Sequence, residues 1–545
     1  MSILTRLIGW AFKLPPAETY DIAVERDLKM PMPDGVVLLA DHYTPRGGGQ
    51  RPTILLRSPY GRTGLFGLLF ARPFAERGFQ VLIQSCRGTF GSGGEFNPFR
   101  NEREDGLATL AWLKQQAWFS GEMGTVGPSY LGFVQWALAA EAGPALKAMV
   151  PQITASEVRS LIYAVESFDL DTLLNWVYIV SHQEDSPLAA FVSQARADDI
   201  LRNPLKHLPL RETDALAVGR SVSFFQDWLK HNEPGDAWWK PVDFSQTVAK
   251  VTAPVHLIGG WYDIFLPYQM TDYTRLRQAG CQPYLTIGPW AHTSPAMFPA
   301  LVRETILWLR AHLLGDRSGL RESPVRVFVM GANEWRDFPE WPPAGSSARG
   351  WHLQAGHGLS IQPPSESQPD RYRYDPADPT PAVGGTSLSR NSGPKDNRAL
   401  EARPDVLLYS SAPLESDIEI IGPVSAELYV QSSLNDTDFF VRLCDVDPSG
   451  KSVNVCDGLV RLAPGRPAPN RDGCRQVRIK LWPTAHRFKR GHRLRVQVSS
   501  GAHPRFVRNP GSGEPLATAT KLVAADQAVY HDPAHPSAII LPVMG

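Results

Sequence analysis

The chain has no surplus charge. Across 545 residues, 55 Lys and Arg face 55 Asp and Glu, and no long basic run disturbs the balance. Nucleic acid selects surfaces with an excess of Lys and Arg, so it is excluded as the expected partner. Cysteine is scarce: Cys86, Cys281, Cys444, Cys456 and Cys474 form an odd, scattered set without a Cys-x-x-Cys pair. Such a set is no disulfide framework and reads as free thiols in a reducing compartment, with a Cys444–Cys456 bridge left open. There is no His-Glu-x-x-His and no spaced Cys/His cluster, so neither a metal nor a cofactor is expected. No internal repeat is visible. No apolar run approaches the roughly 18 residues of a membrane-crossing helix. The apolar stretch Met1–Leu14 is broken by Arg6, Gly9 and Lys13, lacks a small-residue cleavage site and ends at Pro15-Pro16. Its Ile3, Leu4, Leu7, Ile8, Ala11 and Phe12 fall near helical spacing, which predicts a short amphipathic helix packed on the body rather than an anchor. The expectation is a cytoplasmic protein with a small-molecule substrate. Association into a homo-oligomer is left open.

What is present is enough for several cores. The chain is 43% hydrophobic and 20% charged, ordinary for a globular protein, and its length predicts two or three domains. In the first third, strand signals at Val36–Tyr43, Thr53–Leu56, Phe79–Gln84, Met123–Val126 and Ala148–Val150 alternate with helical spacing at Pro73–Arg77, Asp105–Trp118 and Leu131–Ala142. Short apolar strands alternating with helices predict a parallel sheet covered on both faces. From about Thr154 to Val248, aromatic-rich helical stretches dominate and no strand run is obvious. The α/β pattern then resumes with strands at Val255–Ile258 and Tyr284–Ile287 and helices at Met270–Gln278 and Leu301–Leu314. After Ser323 the strand-like runs Val325–Met330, Ile418–Ile421, Ser425–Gln431, Phe439–Asp445, Arg475–Leu481 and Arg493–Ser499 predict an all-β sandwich or jelly roll. The expected organisation is an α/β core at 1–153 and 249–322, a helical cap at 154–248 and a β domain at 323–545.

The most specific local signal is Gly127-Pro128-Ser129-Tyr130-Leu131-Gly132, which follows an apolar strand and opens a helix. A serine on so sharp a turn is thrust out at the carboxyl edge of the sheet, and the amide of Tyr130 is free to meet an oxyanion. Taken alone, the motif also fits a serine helix cap. A serine hydroxyl needs a base, and in this arrangement acid and histidine follow on the ends of later strands. Asp263 follows Val255–Ile258 and the turn Gly259-Gly260-Trp261-Tyr262, and His292 follows Ile287 and the turn Gly288-Pro289-Trp290-Ala291. The histidines of the insertion, His182, His207 and His231, and the in-strand His256 lie at no such edge.

Together, Ser58-Pro59-Tyr60-Gly61, Arg87-Gly88, the Ser129 motif, Gly260-Trp261-Tyr262-Asp263 and Gly288-Pro289-Trp290-Ala291-His292 resemble the cocaine esterase and X-prolyl dipeptidyl-peptidase family. Tyr374-Asp375-Pro376-Ala377-Asp378-Pro379 and Asp436-Thr437-Asp438-Phe439 resemble that family's C-terminal jelly roll. The resemblance runs through nearly the whole chain in order. It implies an α/β-hydrolase core, a helical cap and a jelly roll, and a Ser129–His292–Asp263 triad. It also implies an oxyanion hole made by the Tyr60 hydroxyl and the Tyr130 amide. A phenol with a pKa near 10 stays protonated at neutral pH and can donate there. Arg87 is expected to brace the active-site loops. Similar proteins usually carry an acid two residues before this arginine; Ser85 departs from that pattern at a local salt bridge, not at the triad. Trp176 resembles an aromatic position of the acyl pocket, as does Phe265, and Tyr163 and Phe168 are further candidates that also suit plain helical packing.

The expected function is a serine hydrolase that cleaves an ester or amide through an acyl-enzyme. Related α-amino-acid ester hydrolases place carboxylates just past the triad Asp, where this chain has Ile264, Phe265 and Leu266. That favours an apolar acyl group. Glu166 and Asp169 keep an X-prolyl dipeptidyl-peptidase reading open. Readings of another class, an inactive scaffold or a carbohydrate-binding jelly roll, find no dedicated feature.

Overall fold

Apolar strands that cannot face water on either side must be covered by helices, and that requirement organises the first 340 residues. The computed structural model describes every residue except Met1, Gly48 and Arg466; the side chains of Ser2, Pro187, Leu188, Ala190, Phe191 and Gln194 also lie outside the described set. In chain order the strands of this region are β1 (Ile22–Pro31), β2 (Val37–Pro45), β3 (Arg51–Ser58), β4 (Gln80–Ser85), β5 (Phe119–Pro128), β6 (Leu146–Gln152), β7 (Tyr163–Ala164), β8 (Ser167–Phe168), β9 (His256–Tyr262), β10 (Tyr284–Ala291), β11 (Val325–Val329) and β12 (Glu334–Phe338). They form one sheet in the order β1-β2-β4-β3-β5-β6-β9-β10-β11-β12, apart from the two-stranded hairpin β7-β8. The stretch from β4 to β11 is parallel, and β1, β2 and β12 add antiparallel edges. β4 and β9 are buried along their whole length, as expected of strands covered on both faces. This is the α/β-hydrolase core.

β1 escapes the periodicity because Glu25, Arg26, Asp27 and Lys29 interrupt it and much of it stays exposed. The run Val325–Met330, read from sequence as part of the C-terminal domain, pairs in parallel with β10 through Leu285 and Val325. The core sheet therefore continues to Phe338. The insertion after β6 is mainly helical, with Leu170–His182 and Pro187–Leu201 its longest helices. The hairpin β7-β8 was not foreseen, because two residues per strand leave no period to read. Among the described residues, thirteen strands from Ser346 to Met544 build the C-terminal jelly roll, with almost every pairing antiparallel. Cys444 and Cys456 are separate, buried thiols, so the bridge left open from sequence is not formed.

The N-terminal helix spans Ser2–Ala11. Thr5 is buried and donates to Glu76 at 2.6 Å, and Ile8 and Phe12 pack on the core. Ile3, Leu4, Leu7 and Trp10 face outward instead. The amphipathic expectation is thus only half met, since both faces are apolar. Among the described residues, no helix is long and apolar enough to cross a membrane.

Candidate active site

Ser129 sits between β5 and the helix Tyr130–Ala139 with φ 59° and ψ −123°. A non-glycine residue in that region costs on the order of 1–3 kcal/mol, so its surroundings must hold it there. They do so through hydrogen bonds. The Ser129 amide donates to the carbonyl of Gln152 at 2.9 Å, and its own carbonyl accepts from the amides of Gly132 and Phe133. Buried Gln135 spans the turn, accepting from Thr125 and donating to the carbonyls of Gly127, Leu131 and Val150. The glycine one place later than in the common motif has a steric cause. A Cβ on Gly132 would lie 2.3 Å from the Thr154 methyl, too close for any side chain.

Asp263 and His292 arrive from the ends of β9 and β10, neighbouring parallel strands. His292 Nδ1 lies 2.7 Å from Asp263 Oδ2, and His292 Nε2 lies 3.1 Å from Ser129 Oγ. Asp263 is 1% exposed and His292 10%, so the pair is shielded while the imidazole still reaches the site. The other Asp263 oxygen accepts the Phe265 amide at 2.8 Å, and the Asp263 carbonyl accepts the indole N–H of Trp482 from the jelly roll at 3.3 Å. A carboxylate with one oxygen held by the Phe265 amide and the other facing His292 Nδ1 can fix the tautomer of the imidazole. The arrangement can move a proton from Ser129 to His292 while Asp263 balances the charge.

Tyr60 follows β3. Its phenol accepts the Trp176 indole N–H at 2.9 Å, and Tyr60 shares the lining of one cavity with Ser129. Burial outweighs that bond and pushes its pKa up to about 12, so the hydroxyl keeps its proton. The Tyr130 N–H, in the first helical turn, has no acceptor one turn back. The Tyr130 phenol points away from the site, donating to Glu102 at 2.7 Å and accepting the Phe99 amide at 2.8 Å. Burial raises its pKa. Glu102 in turn pairs with buried Arg57 at 2.9 Å. Arg87 does not brace the loops of Asp263 and His292, contrary to expectation. It binds Asp105 at 2.6 Å and Asp34 at 2.7 Å, tying the core helix Glu102–Leu113 to the β1–β2 turn. Ser85, in place of an acid, accepts from Arg62 at 2.6 Å, and Asp41 and Asp27 supply the carboxylates.

A cavity of about 220 Å³ opens at Ser129 and His292. Trp176 and Phe265 line it; the Phe265 ring lies 5.5 Å from the His292 ring, centre to centre. Tyr163 and Phe168 do not. They pack against each other behind the wall, and the Tyr163 hydroxyl donates to the Trp228 carbonyl. Sequence reasoning missed Phe66, Leu161, Met297 and Leu388 on the lining. Leu388 comes from a loop of the C-terminal domain that shows no periodicity, so nothing local marks it. No Asp, Glu, Lys or Arg lines the cavity among the described residues. Glu166 is paired with Arg159 at 2.8 Å, and Asp169 caps the helix Leu170–His182 through the Thr172 amide. Among the described residues, no group of His, Cys, Asp and Glu is arranged to hold a metal ion.

Residues 34–294 match the X-Pro dipeptidyl-peptidase (S15 family) description, and residues 318–540 match the X-Pro dipeptidyl-peptidase C-terminal non-catalytic domain. The cocaine esterase of Rhodococcus sp. (strain MB1 Bresler) is 32% identical, over 96% of this chain and 99% of its own. The chain belongs to the cocaine esterase and X-prolyl dipeptidyl-peptidase family. As a member of that family it is a serine hydrolase of ester or amide bonds. Two solved structures share the family fold over 97% of this chain and 98% of theirs, each at 22% identity. An aminopeptidase from a marine sediment archaeon, Thaumarchaeota, has a TM-score of 0.81, and an α-amino acid ester hydrolase has one of 0.80.

Proposed function

We propose that the protein is an esterase or amidase for apolar acyl groups, with Ser129 as nucleophile, His292 as general base and Asp263 as the group that orients it. The observation that carries this reading is the unbroken chain Asp263–His292–Ser129, at 2.7 and 3.1 Å, ending on the floor of an apolar cavity. The acyl carbonyl lies over Ser129 with its oxygen toward the Tyr60 hydroxyl and the Tyr130 amide. Attack by Oγ passes its proton to His292 Nε2, and the two donors receive the charge that develops on oxygen. His292 then protonates the leaving alcohol or amine. The same imidazole activates the water that cleaves the Ser129 ester and frees the acid.

The lining argues for an apolar acyl group over an α-ammonium one. A buried ammonium without a partner is costly. The two cap carboxylates that could serve it are engaged elsewhere, Glu166 with Arg159 and Asp169 at a helix start. A dipeptidyl-peptidase therefore fits the cavity less well than an esterase of the kind named in the Rhodococcus relative. Steady-state kinetics on a phenylacetyl ester and an Ala-Pro anilide separate the two. The proposal expects the ester to be preferred by kcat/KM. A preference for the anilide would overturn the acyl assignment.

A further inference from the structure

We infer that Trp176 is a positioning residue for the oxyanion hole, holding the Tyr60 hydroxyl so that its hydrogen faces Ser129. The inference rests on the reading of Tyr60 as an oxyanion donor and adds a residue that acts through it. A phenolic hydrogen lies near the ring plane and has two resting places, one on either side of the C–O bond. An indole N–H can only donate, so the direction of the 2.9 Å bond between Trp176 and Tyr60 is settled: Tyr60 oxygen accepts. That bond fills one side of the phenol oxygen. The hydroxyl hydrogen is left the other side, in the cavity that Tyr60 lines together with Ser129.

Both partners are clamped, which makes the arrangement a fixed one. The Trp176 ring stacks on Tyr130 at 6.3 Å with 8° between the planes and on Phe99 at 6.0 Å with 19°; Trp228 closes in at 6.0 Å. The Tyr60 ring stacks on Phe66 at 6.1 Å with 13° between the planes. A donor already aimed before charge develops need not reorient during the reaction, which is where preorganised hydrogen bonds gain their effect. Trp176 thus has two functions on two edges. Its face walls the acyl cavity, and its N–H sets the direction of the Tyr60 hydroxyl. The ring also links the two donors, because the Tyr130 on which it stacks carries the second one.

A double-mutant cycle on a small acetyl ester, which makes little use of the wall, tests this. Tyr60→Phe should lower kcat by about 10²–10³. Trp176→Phe should lower kcat about tenfold in the parent, with KM changed less than about threefold. In the Tyr60→Phe background, Trp176→Phe should have no further effect, since there is no hydroxyl left to direct. Should Trp176→Phe fold poorly, benzothienylalanine at position 176 keeps the shape of the ring and replaces only the N–H, and the same pattern is expected. Equal loss from the Trp176 change in both backgrounds would overturn the inference and leave only a wall. A full-rate benzothienylalanine variant would do the same. An unaltered kcat in Tyr60→Phe alone would instead remove Tyr60 from the oxyanion hole, and the inference with it.

Discussion

Ser129 stands in a backbone conformation that a serine adopts only under constraint, and each constraint on it is a named hydrogen bond or a missing Cβ. Asp263→Asn keeps the shape but favours the wrong imidazole tautomer, so kcat should fall by about 10⁴ with KM near that of the parent. Steady-state kinetics on an ester check it, and a loss under tenfold would contradict the role. Ser129, Asp263 and His292 are legible in the sequence because each directly follows an apolar strand, in the order that this scaffold uses; the glycines read from sequence as turns before Asp263 and His292 lie inside β9 and β10, since strands this buried tolerate glycine where a neighbour packs close. Tyr60 is legible only through the family resemblance, as one tyrosine after a proline is ambiguous. The N–H of Trp176 was out of reach: an aromatic at helical spacing reveals that the ring is buried, not which edge meets which partner.

At the scale of elements, the parallel strands were readable because burial on both faces makes them continuous apolar runs. From sequence β11 reads as a strand of the C-terminal domain, and it joins the core sheet beside β10 instead, because an apolar run carries no mark of its neighbour. The helix Leu266–Gln278, which follows Asp263, is pinned to the loop after β6 by Asp272. That carboxylate accepts the Ser156 amide at 2.8 Å and the Ser156 hydroxyl at 2.6 Å. Burial pushes its pKa up to about 7. In the unfolded chain the same group titrates near about 4. Between those values the folded state holds a proton that the unfolded state has released, so stability from this group is lost as pH rises. Asp272→Asn removes the titration. Relative to the parent, its thermal midpoint should rise steadily from pH 4 to 7 and level off above. A difference between the two proteins that stays constant across that range would contradict the account.

At the scale of the whole molecule, the site belongs to three parts at once. The core supplies Ser129, Asp263, His292 and Tyr60, the cap supplies Trp176, and the jelly roll supplies Leu388 and the Trp482 bond to Asp263. The C-terminal domain is thus a wall of the cavity, and this could not be read from residues so far apart in sequence. Leu388→Ala should lower kcat/KM for a phenylacetyl ester about tenfold while sparing an acetyl ester, through lost apolar contact worth ~1.4 kcal/mol. Equal losses on both esters would place Leu388 outside acyl recognition. Covalent labelling asks whether one activated serine carries the acyl group. A fluorophosphonate should add once to the parent, with peptide mass spectrometry locating the adduct on Ser129, and should add nothing to Ser129→Ala. Labelling that persists in Ser129→Ala, or an adduct on another residue, would contradict it.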